Sequence, residues 1–167
     1  MYFNNETVLY LDGKFVKASE STTDLYGQTL HYGYGAFEGI RSYETEHGTK
    51  VFKAEEHYER LKKSCELVKI PFNYTMQELV EATYELLEKN NLRNAYIRPL
   101  VYCAPNMSLT KPTSVSLMIA VWDWGAYLGE KLLRLTVSSY CRPHPKSIHI
   151  EAKICGHYVN SILATTE

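Results

Sequence analysis

The sequence predicts an α/β (α+β) fold, in which strands lie before and after two central helices along the chain. Two amphipathic segments carry apolar residues at helical spacing, whereas shorter segments are rich in the branched and aromatic residues typical of strands. Turn-forming pairs separate these shorter segments. The apolar share of 45% and the charged share of 22% are those of a globular protein that can bury a core.

Two hairpins are predicted in the first third of the chain, at 8–16 and 37–53. Each contains a pair of residues that ends in glycine and is typical of a tight turn, Asp12-Gly13 in the first hairpin and His47-Gly48 in the second. Between the hairpins lies a polar stretch that ends in the glycine-rich segment 31–35.

Two helices are predicted next. In the first, apolar residues recur at helical spacing, and Glu55 and Glu56 lie in the first turn, where acidic side chains interact favourably with the helix dipole. Pro71 separates the two helices. The second begins with Thr75-x-x-Glu78, a pattern typical of a helix N-terminus in which the two residues cap each other's backbone.

Four further elements are predicted after the helices. Strands are expected at 95–102 and 115–122, and the second is apolar enough to be buried on both faces. Pro99 lies within the first of them and indicates a sheet edge or a bulge, because proline has no backbone donor. A strand at 133–139 and a helix at 158–167 complete the prediction.

The predicted organisation is a small N-terminal domain of sheet and helices at 1–122, an interdomain loop at 123–132 and the beginning of a larger, barrel-like C-terminal domain at 133–167. The last helix has no glycine, asparagine or proline end signal, so we expect this chain to be part of a longer protein. In such a part, several apolar side chains would be exposed to water. They are Leu133, Leu135, Val137, Ile162 and Leu163.

Charge and composition argue against several classes of partner. The formal net charge is −1 and the charges are interspersed, which argues against binding to nucleic acid or to an anionic membrane surface. The N-terminus lacks the features of a signal peptide and no apolar stretch has the length of a membrane span, so a cytoplasmic location is expected. The cysteines are too widely spaced to predict a metal site or a disulfide framework. They are Cys65, Cys103, Cys141 and Cys155.

Strand spacing suggests two small groups of candidate site residues. Tyr96 and Arg98 are two residues apart, so their side chains leave the same strand face, where a phenol and a guanidinium would suit a carboxylate. The alternative is a solvated sheet face. Phe37, Gly39 and Arg41 likewise share a face, with Gly39 as a gap for a ligand or, alternatively, part of a bulge.

Other candidates are weaker on spacing alone. Arg60 lies beside the apolar stripe of its helix and could reach an anion or extend to water. Lys153 precedes the final helix, and no spacing rule distinguishes it from an exposed, inert lysine. No role is assigned to His31 or His57, and His157 is interpreted as structural.

Short motifs distributed over nearly the whole chain carry a resemblance to a known family. They are His31-Tyr32-Gly33, Phe37-Glu38-Gly39-Ile40-Arg41, Arg60-Leu61, Tyr96-Ile97-Arg98-Pro99-Leu100, Trp124-Gly125-Ala126-Tyr127-Leu128-Gly129, and Ala152-Lys153 with Gly156-x-Tyr158-x-x-Ser161. In their order and spacing they resemble the branched-chain amino acid aminotransferases, which are class IV aminotransferases of the fold type IV group of pyridoxal-phosphate enzymes.

The resemblance implies reversible transfer of an amino group between leucine, isoleucine or valine and 2-oxoglutarate, with pyridoxal 5'-phosphate as cofactor. Lys153 matches the lysine that forms the Schiff base and then moves the proton between substrate and cofactor. Tyr158 matches the tyrosine that hydrogen-bonds the cofactor's phenolic oxygen, and Arg60 matches the arginine that binds its phosphate.

Substrate contacts and an oligomeric state are implied in the same way. Tyr96 and Arg98 match residues that meet substrate carboxylates, in agreement with their shared strand face. Tyr32 matches a residue that reaches the pocket of a neighbouring subunit, so a homodimer is implied. The residues implied to line the side-chain pocket are Phe37, Gly39 and Tyr127.

Other functions stay open. D-amino acid aminotransferase and aminodeoxychorismate lyase share the fold and the lysine, and a function of another class would be a non-catalytic fragment or a partner-binding module. Members of the resembled family are about twice as long as this chain, in line with two full domains. The acidic residue that meets the cofactor's pyridine nitrogen is therefore expected beyond Glu167.

Overall fold

The computed structural model describes residues 2–125, 129 and 131–167. Its strands are β1 (Val8–Leu11), β2 (Lys14–Lys17), β3 (Gly35–Phe37), β4 (Ile40–Thr45), β5 (Gly48–Val51), β6 (Tyr96–Cys103) and β7 (Val115–Trp122). Its helices are α1 (Gln28–Tyr32), α2 (Ala54–Leu67), α3 (Met76–Lys89) and α4 (Tyr158–Thr166), with a short 3₁₀ turn at Cys155–His157. The mixed fold, both hairpins, the two central helices and the final helix are as predicted, whereas α1 was not predicted.

The described strands form one antiparallel sheet in the order β2-β1-β7-β6-β4-β5, and β3 also pairs with β6. Phe37 of β3 lies opposite Leu100 of β6, and Ile40 of β4 lies opposite Ile97 of the same strand. The register is the same in both pairs. Strands β3 and β4 are therefore two halves of one strand that is interrupted at Glu38.

The interruption corrects the interpretation of Pro99. This proline lies inside the sheet, since β6 has β7 on one side and β3 and β4 on the other, and the constant register leaves no extra residue for a bulge. The backbone N–H of Glu38 donates to the carbonyl of Pro99 at 2.9 Å. The reciprocal bond cannot form because proline has no N–H. The pairing is broken locally, at Glu38 and Gly39.

One face of the sheet forms the core with α2 and α3. Burial alternates along β6 and β7, as expected when side chains of successive residues leave opposite faces. Each large aliphatic side chain buried in this way contributes about 1.5–3 kcal/mol. The fully buried side chains that the helices and the central strands contribute to this core include Tyr58, Leu61, Leu79, Leu86, Ile97, Val101, Leu117 and Ile119.

The opposite face of β6 and β7 is half-buried. The prediction that β7 is buried on both faces is therefore wrong, since Ser116, Met118 and Ala120 are less buried than their neighbours. Apolar composition alone did not reveal this, because Met118 and Ala120 are as apolar as core residues. This second face carries the candidate site described below.

The start of α3 follows the capping signal in the sequence, and its end is hydrogen-bonded to β1. Thr75 accepts a hydrogen bond from the backbone N–H of Glu78 at 3.2 Å, as expected for an N-cap. The carboxylate of Glu78 accepts from the hydroxyl of Tyr10 at 3.0 Å and so ties the helix to the sheet. At the other end, the side chain of Asn90 pairs with both backbone groups of Val8.

The region after the sheet differs from the prediction at one point. Residues 133–139 form no strand, because a strand needs a neighbour for its backbone groups and these residues have none among those described. Leu135 and Val137 are 90% and 96% exposed, and Ile162 of α4 is 64% exposed. The expected exposure of this apolar set is thus observed, whereas the division into domains stays a prediction.

Among the described residues, no helix combines the length and the apolar character that crossing a membrane requires.

Candidate active site

The half-buried sheet face brings the two groups of strand candidates together. Arg98 lies opposite Gly39 in the common register of β3, β4 and β6, with Phe37 and Tyr96 on either side. An Nη2 donor of Arg98 reaches the hydroxyl of Tyr96 at 3.2 Å, and the guanidinium carbon lies 4.8 Å from the centre of the Phe37 ring. The Nε atom of Arg98 is buried and has no hydrogen-bond partner among the described residues. Arg98 therefore retains a buried donor for a ligand.

Gly39 has a specific reason to be glycine. A Cβ atom at this position would lie 2.0 Å from the hydroxyl oxygen of Tyr96. The gap that was predicted to admit a ligand is therefore filled by the Tyr96 side chain, and no bulge is present. Arg41, the third member of that strand face, donates to the carbonyl of Gly125 at 2.8 Å.

We expect Gly39→Ala to push the Tyr96 phenol away from Arg98. Overpacking of this kind typically costs about 1–3 kcal/mol. We expect a lower melting temperature in thermal unfolding and a changed tyrosine signal in the near-ultraviolet circular dichroism spectrum. Gly125→Ala is the control, because none of the described residues lies within 4 Å of a Cβ there. Equal melting temperatures for wild type and Gly39→Ala would contradict the expected clash.

Lys153 is held by its backbone between α2 and β3. Its N–H donates to the hydroxyl of Ser64 at 2.9 Å, and its carbonyl accepts from the N–H of Phe37 at 3.1 Å. Ser64 is only 1% exposed, so this anchor lies inside the core. The neighbouring residue Ile154 forms an isolated bridge with Ala36. The lysine thus lies at the edge of the interrupted strand and is not a freely exposed side chain.

The Lys153 side chain points to a ring cluster. Its Nζ donates to the hydroxyl of Tyr158 at 2.5 Å and lies 4.7 Å from the centre of the Phe37 ring. The Tyr158 ring packs edge-on against Phe37, with 4.8 Å between the ring centres. Phe37 is therefore contacted by Lys153, Tyr158 and Arg98. The two cationic side chains hydrogen-bond to phenols, so the cluster keeps positive charge that would favour an anionic ligand.

A close backbone contact fixes the turn before Tyr158. The N–H of Gly156 donates to the carbonyl of Gly33 at 2.9 Å. Gly33 has φ +64°, and a Cβ there would lie 2.6 Å from the Cα of Gly156. Only glycine fits both the left-handed conformation and the space. The glycine-rich segment after α1 therefore positions the start of α4.

Arg60 lies on α2 and is paired with a carboxylate for which the sequence predicts no role. Its Nε and Nη2 atoms lie 2.6 and 2.7 Å from the two carboxylate oxygens of Glu38, which is 0% exposed. His57 Nδ1 lies 2.9 Å from the same carboxylate. Burial would raise the pKa of Glu38, but the hydrogen bonds from Arg60 and His57 outweigh it and hold that pKa below its usual range. Glu38 is therefore ionised at neutral pH.

Tyr32 does not join the ring cluster of the described residues. The hydroxyl of Tyr32 donates to the carbonyl of Met107 at 3.0 Å, and the residue is 44% exposed. Tyr127 lies outside the described residues. The roles assigned to both remain predictions.

A cavity of about 520 Å³ lies beside Arg98 on the same sheet face. Its aromatic wall is formed by Trp122 and Trp124, whose rings contact Tyr96 with centre distances of 5.0 and 4.9 Å. This volume falls within the range of small-molecule sites. An apolar wall with one arginine at its side suits a small aliphatic molecule that carries a carboxylate.

Comparison with known proteins gives the class to which this fold and site belong. The family described as "Amino-transferase class IV" matches residues 35–167. The chain belongs to the class IV aminotransferase family, which confirms the resemblance inferred from the motifs.

Similar proteins within this family include branched-chain enzymes. The branched-chain-amino-acid aminotransferase of Pseudomonas aeruginosa is 39% identical over 170 residues, which cover 98% of this chain and 55% of the relative. The solved branched-chain aminotransferase of Thermoproteus uzoniensis, with norvaline, has a TM-score of 0.91 at 34% identity, covering 96% of this chain and 55% of that one. The branched-chain amino acid aminotransferase of Thermobaculum terrenum, solved in its PLP-form, has a TM-score of 0.84 at 27% identity. The match covers 97% of this chain and 55% of that one. This chain therefore spans about half the length of these relatives.

Proposed function

We propose that the protein is a pyridoxal-phosphate-dependent branched-chain amino acid aminotransferase. It would transfer an amino group reversibly between leucine, isoleucine or valine and 2-oxoglutarate. The observation that carries this proposal is the Lys153 amine, hydrogen-bonded to Tyr158 at 2.5 Å and facing the same Phe37 ring as Arg98. The names of the similar proteins support the branched-chain assignment over the other activities of the same fold.

The donor set of the site fits pyridoxal 5'-phosphate. Lys153 supplies an amine for the carbonyl of the cofactor, and Tyr158 supplies a hydroxyl for its phenolic oxygen. Arg60 supplies guanidinium donors for the phosphate, and its positive charge interacts with Tyr158. The PLP-form of the similar Thermobaculum terrenum enzyme supports this choice. When bound, the cofactor supplies a ring that takes up the electrons released as the substrate loses its α-proton.

Lys153 would hold and move that proton at Nζ. Its backbone is fixed by Ser64 and Phe37, so the amine can only swing about its own side-chain bonds. The Tyr158 hydroxyl orients Nζ, and the rings of Phe37 and Tyr158 lie within 4.8 Å of it. A fixed proton-transfer group contributes about 10²–10⁴-fold to the rate of such a step.

The substrate side chain and carboxylate would bind along the sheet face. The Nε donor of Arg98 is buried and has no partner among the described residues, and the Nη2 group of Arg98 donates to the hydroxyl of Tyr96. A guanidinium with a free donor suits a carboxylate. The aromatic wall of Trp122 and Trp124 suits an aliphatic chain. One site would thus accept leucine by its apolar wall and glutamate by its arginine.

A homodimer is part of the proposal. Large apolar side chains around α1 are exposed, with Leu25 at 70%, Tyr26 at 65% and Leu30 at 63%. Exposed apolar groups of this kind favour burial in an interface. Tyr32, on the same helix, would reach the pocket of a neighbouring subunit. The cytoplasmic location and the two-domain division are proposed with it.

A substrate panel tests the proposed function. In the presence of pyridoxal 5'-phosphate, leucine and 2-oxoglutarate should be converted to glutamate and the branched 2-oxo acid. The amounts of both products would be measured by chromatography. D-alanine as amino donor and aminodeoxychorismate as substrate separate this enzyme from its relatives of the same fold. Turnover of either one in preference to leucine would overturn the branched-chain assignment.

A further inference from the structure

Glu38 is a fully buried carboxylate at the break between β3 and β4. It lies on the core face of the strand, between the site residues Phe37 and Gly39 of the opposite face. A buried charge is retained only where other groups pair with it and satisfy its oxygens. Its surroundings therefore show what it does.

Both carboxylate oxygens of Glu38 are used. Arg60 meets them with two parallel donors at 2.6 and 2.7 Å, His57 lies at 2.9 Å, and the N–H of Gly39 donates at 3.2 Å. A two-point contact between planar groups fixes the plane of the guanidinium as well as its position. The guanidinium edge that faces away from Glu38 keeps its own donors.

The arginine that is held in this way belongs to the lysine site. Arg60 is one helical turn before Ser64, whose hydroxyl receives the backbone N–H of Lys153 at 2.9 Å. Residues four apart lie on the same side of a helix. The charge of Arg60 also interacts with the phenol of Tyr158. Arg60 therefore lies on the side of α2 that contacts Lys153 and near Tyr158.

We propose that Glu38 is a positioning residue that holds the Arg60 guanidinium ready for the phosphate of the cofactor, an inference that rests on the proposed function. The side chain of Arg60 is 54% exposed and would otherwise sample many conformations. Fixing it before the ligand arrives lowers the entropy cost of binding. Glu38 itself touches neither cofactor nor substrate in this account.

The test compares two probes, pyridoxal 5'-phosphate and pyridoxal, which differ only by the phosphate. Dissociation constants would be measured by equilibrium dialysis for wild type and for Glu38→Gln. We expect the phosphate form to bind at least about tenfold more weakly to the variant, the lower end of the loss that follows when a metal ligand loses its hydrogen-bond partner. Pyridoxal should bind both proteins within about twofold.

Matched variants separate positioning from charge and from stability. Glu44→Gln removes the carboxylate that pairs with Arg93 on the exposed part of β4 and should change neither constant. Glu38→Asp keeps the negative charge, but the aspartate side chain is too short to meet both donors of Arg60. This variant should therefore also bind pyridoxal 5'-phosphate more weakly while its affinity for pyridoxal stays unchanged. This variant carries the test if Glu38→Gln does not fold.

Each outcome has one interpretation. Equal weakening of the two probes would assign Glu38 to the fold and overturn the proposal, and unchanged binding would do the same. A wild-type protein that binds both probes equally would show that Arg60 does not meet the phosphate, which also overturns it. Failure of wild type to bind either probe overturns the proposed function itself, and it is detected before any variant is compared.

Discussion

Replacement of Lys153 by alanine is expected to lower the rate of amino-group transfer from leucine to 2-oxoglutarate by at least about a thousandfold. The variant loses the amine that Tyr158 orients at 2.5 Å and that the backbone contacts of Ser64 and Phe37 hold in place. Loss of a fixed proton-transfer group costs about 10²–10⁴-fold, and the attachment point of the cofactor is lost with it.

The measurement is the steady-state rate of glutamate formation at saturating cofactor. Lys146→Ala is the matched control, because Lys146 is an exposed lysine of the same region and should leave the rate unchanged. Thermal unfolding of both variants would show that the proteins are folded. A Lys153→Ala enzyme that keeps a tenth or more of wild-type activity would contradict the assignment of Lys153.

Replacement of Arg98 by alanine should separate the two kinds of substrate. Glutamate and 2-oxoglutarate carry a second carboxylate that leucine lacks, and the buried Nε of Arg98 is available for it. Loss of a charge-assisted pair of this kind typically costs about 2–5 kcal/mol. We therefore expect kcat/KM for glutamate to fall by roughly 30-fold or more relative to kcat/KM for leucine, since 1.4 kcal/mol is about tenfold.

Arg93→Ala is the control for this experiment. Arg93 pairs with Glu44 on the surface and has a side chain that is 69% exposed, so its loss should affect neither substrate. Equal losses for glutamate and leucine in Arg98→Ala would instead show that Arg98 serves the α-carboxylate that both substrates share, or the fold.

Features that depend on near neighbours in the chain were predictable from the sequence. The start of α3 follows from Thr75 and Glu78, because capping involves residues within one helical turn. The shared faces of Phe37 with Gly39 and of Tyr96 with Arg98 follow from the two-residue period of a strand. Sheet register cannot be obtained in this way, so the meeting of these two faces required the structure.

Features that depend on pairing are less predictable. Pro99 indicates an edge or a bulge because proline cannot donate, but its partner strand is interrupted at Glu38 and tolerates the missing bond. The segment 133–139 has the alternation of a strand, yet alternation does not supply a neighbour. Both errors have the same cause, since a strand exists only as part of a sheet.

The chemical roles of the site residues are the least predictable from sequence patterns. Lys153 is identified by its place in a family motif, because its spacing resembles that of an exposed lysine. Glu38 belongs to such a motif, but no local pattern shows that a strand glutamate is buried against Arg60. One available signal is strand alternation, which directs Glu38 to the apolar side of its strand, where a charge needs a partner.

The central claim is that Lys153 is the cofactor-binding lysine, and reductive labelling tests it most directly. The protein would be incubated with pyridoxal 5'-phosphate, reduced with borohydride, digested and mapped by mass spectrometry. We expect the phosphopyridoxyl label on Lys153, accompanied before reduction by absorbance in the visible range. Label on Lys131 or Lys146 in place of Lys153 would contradict the account.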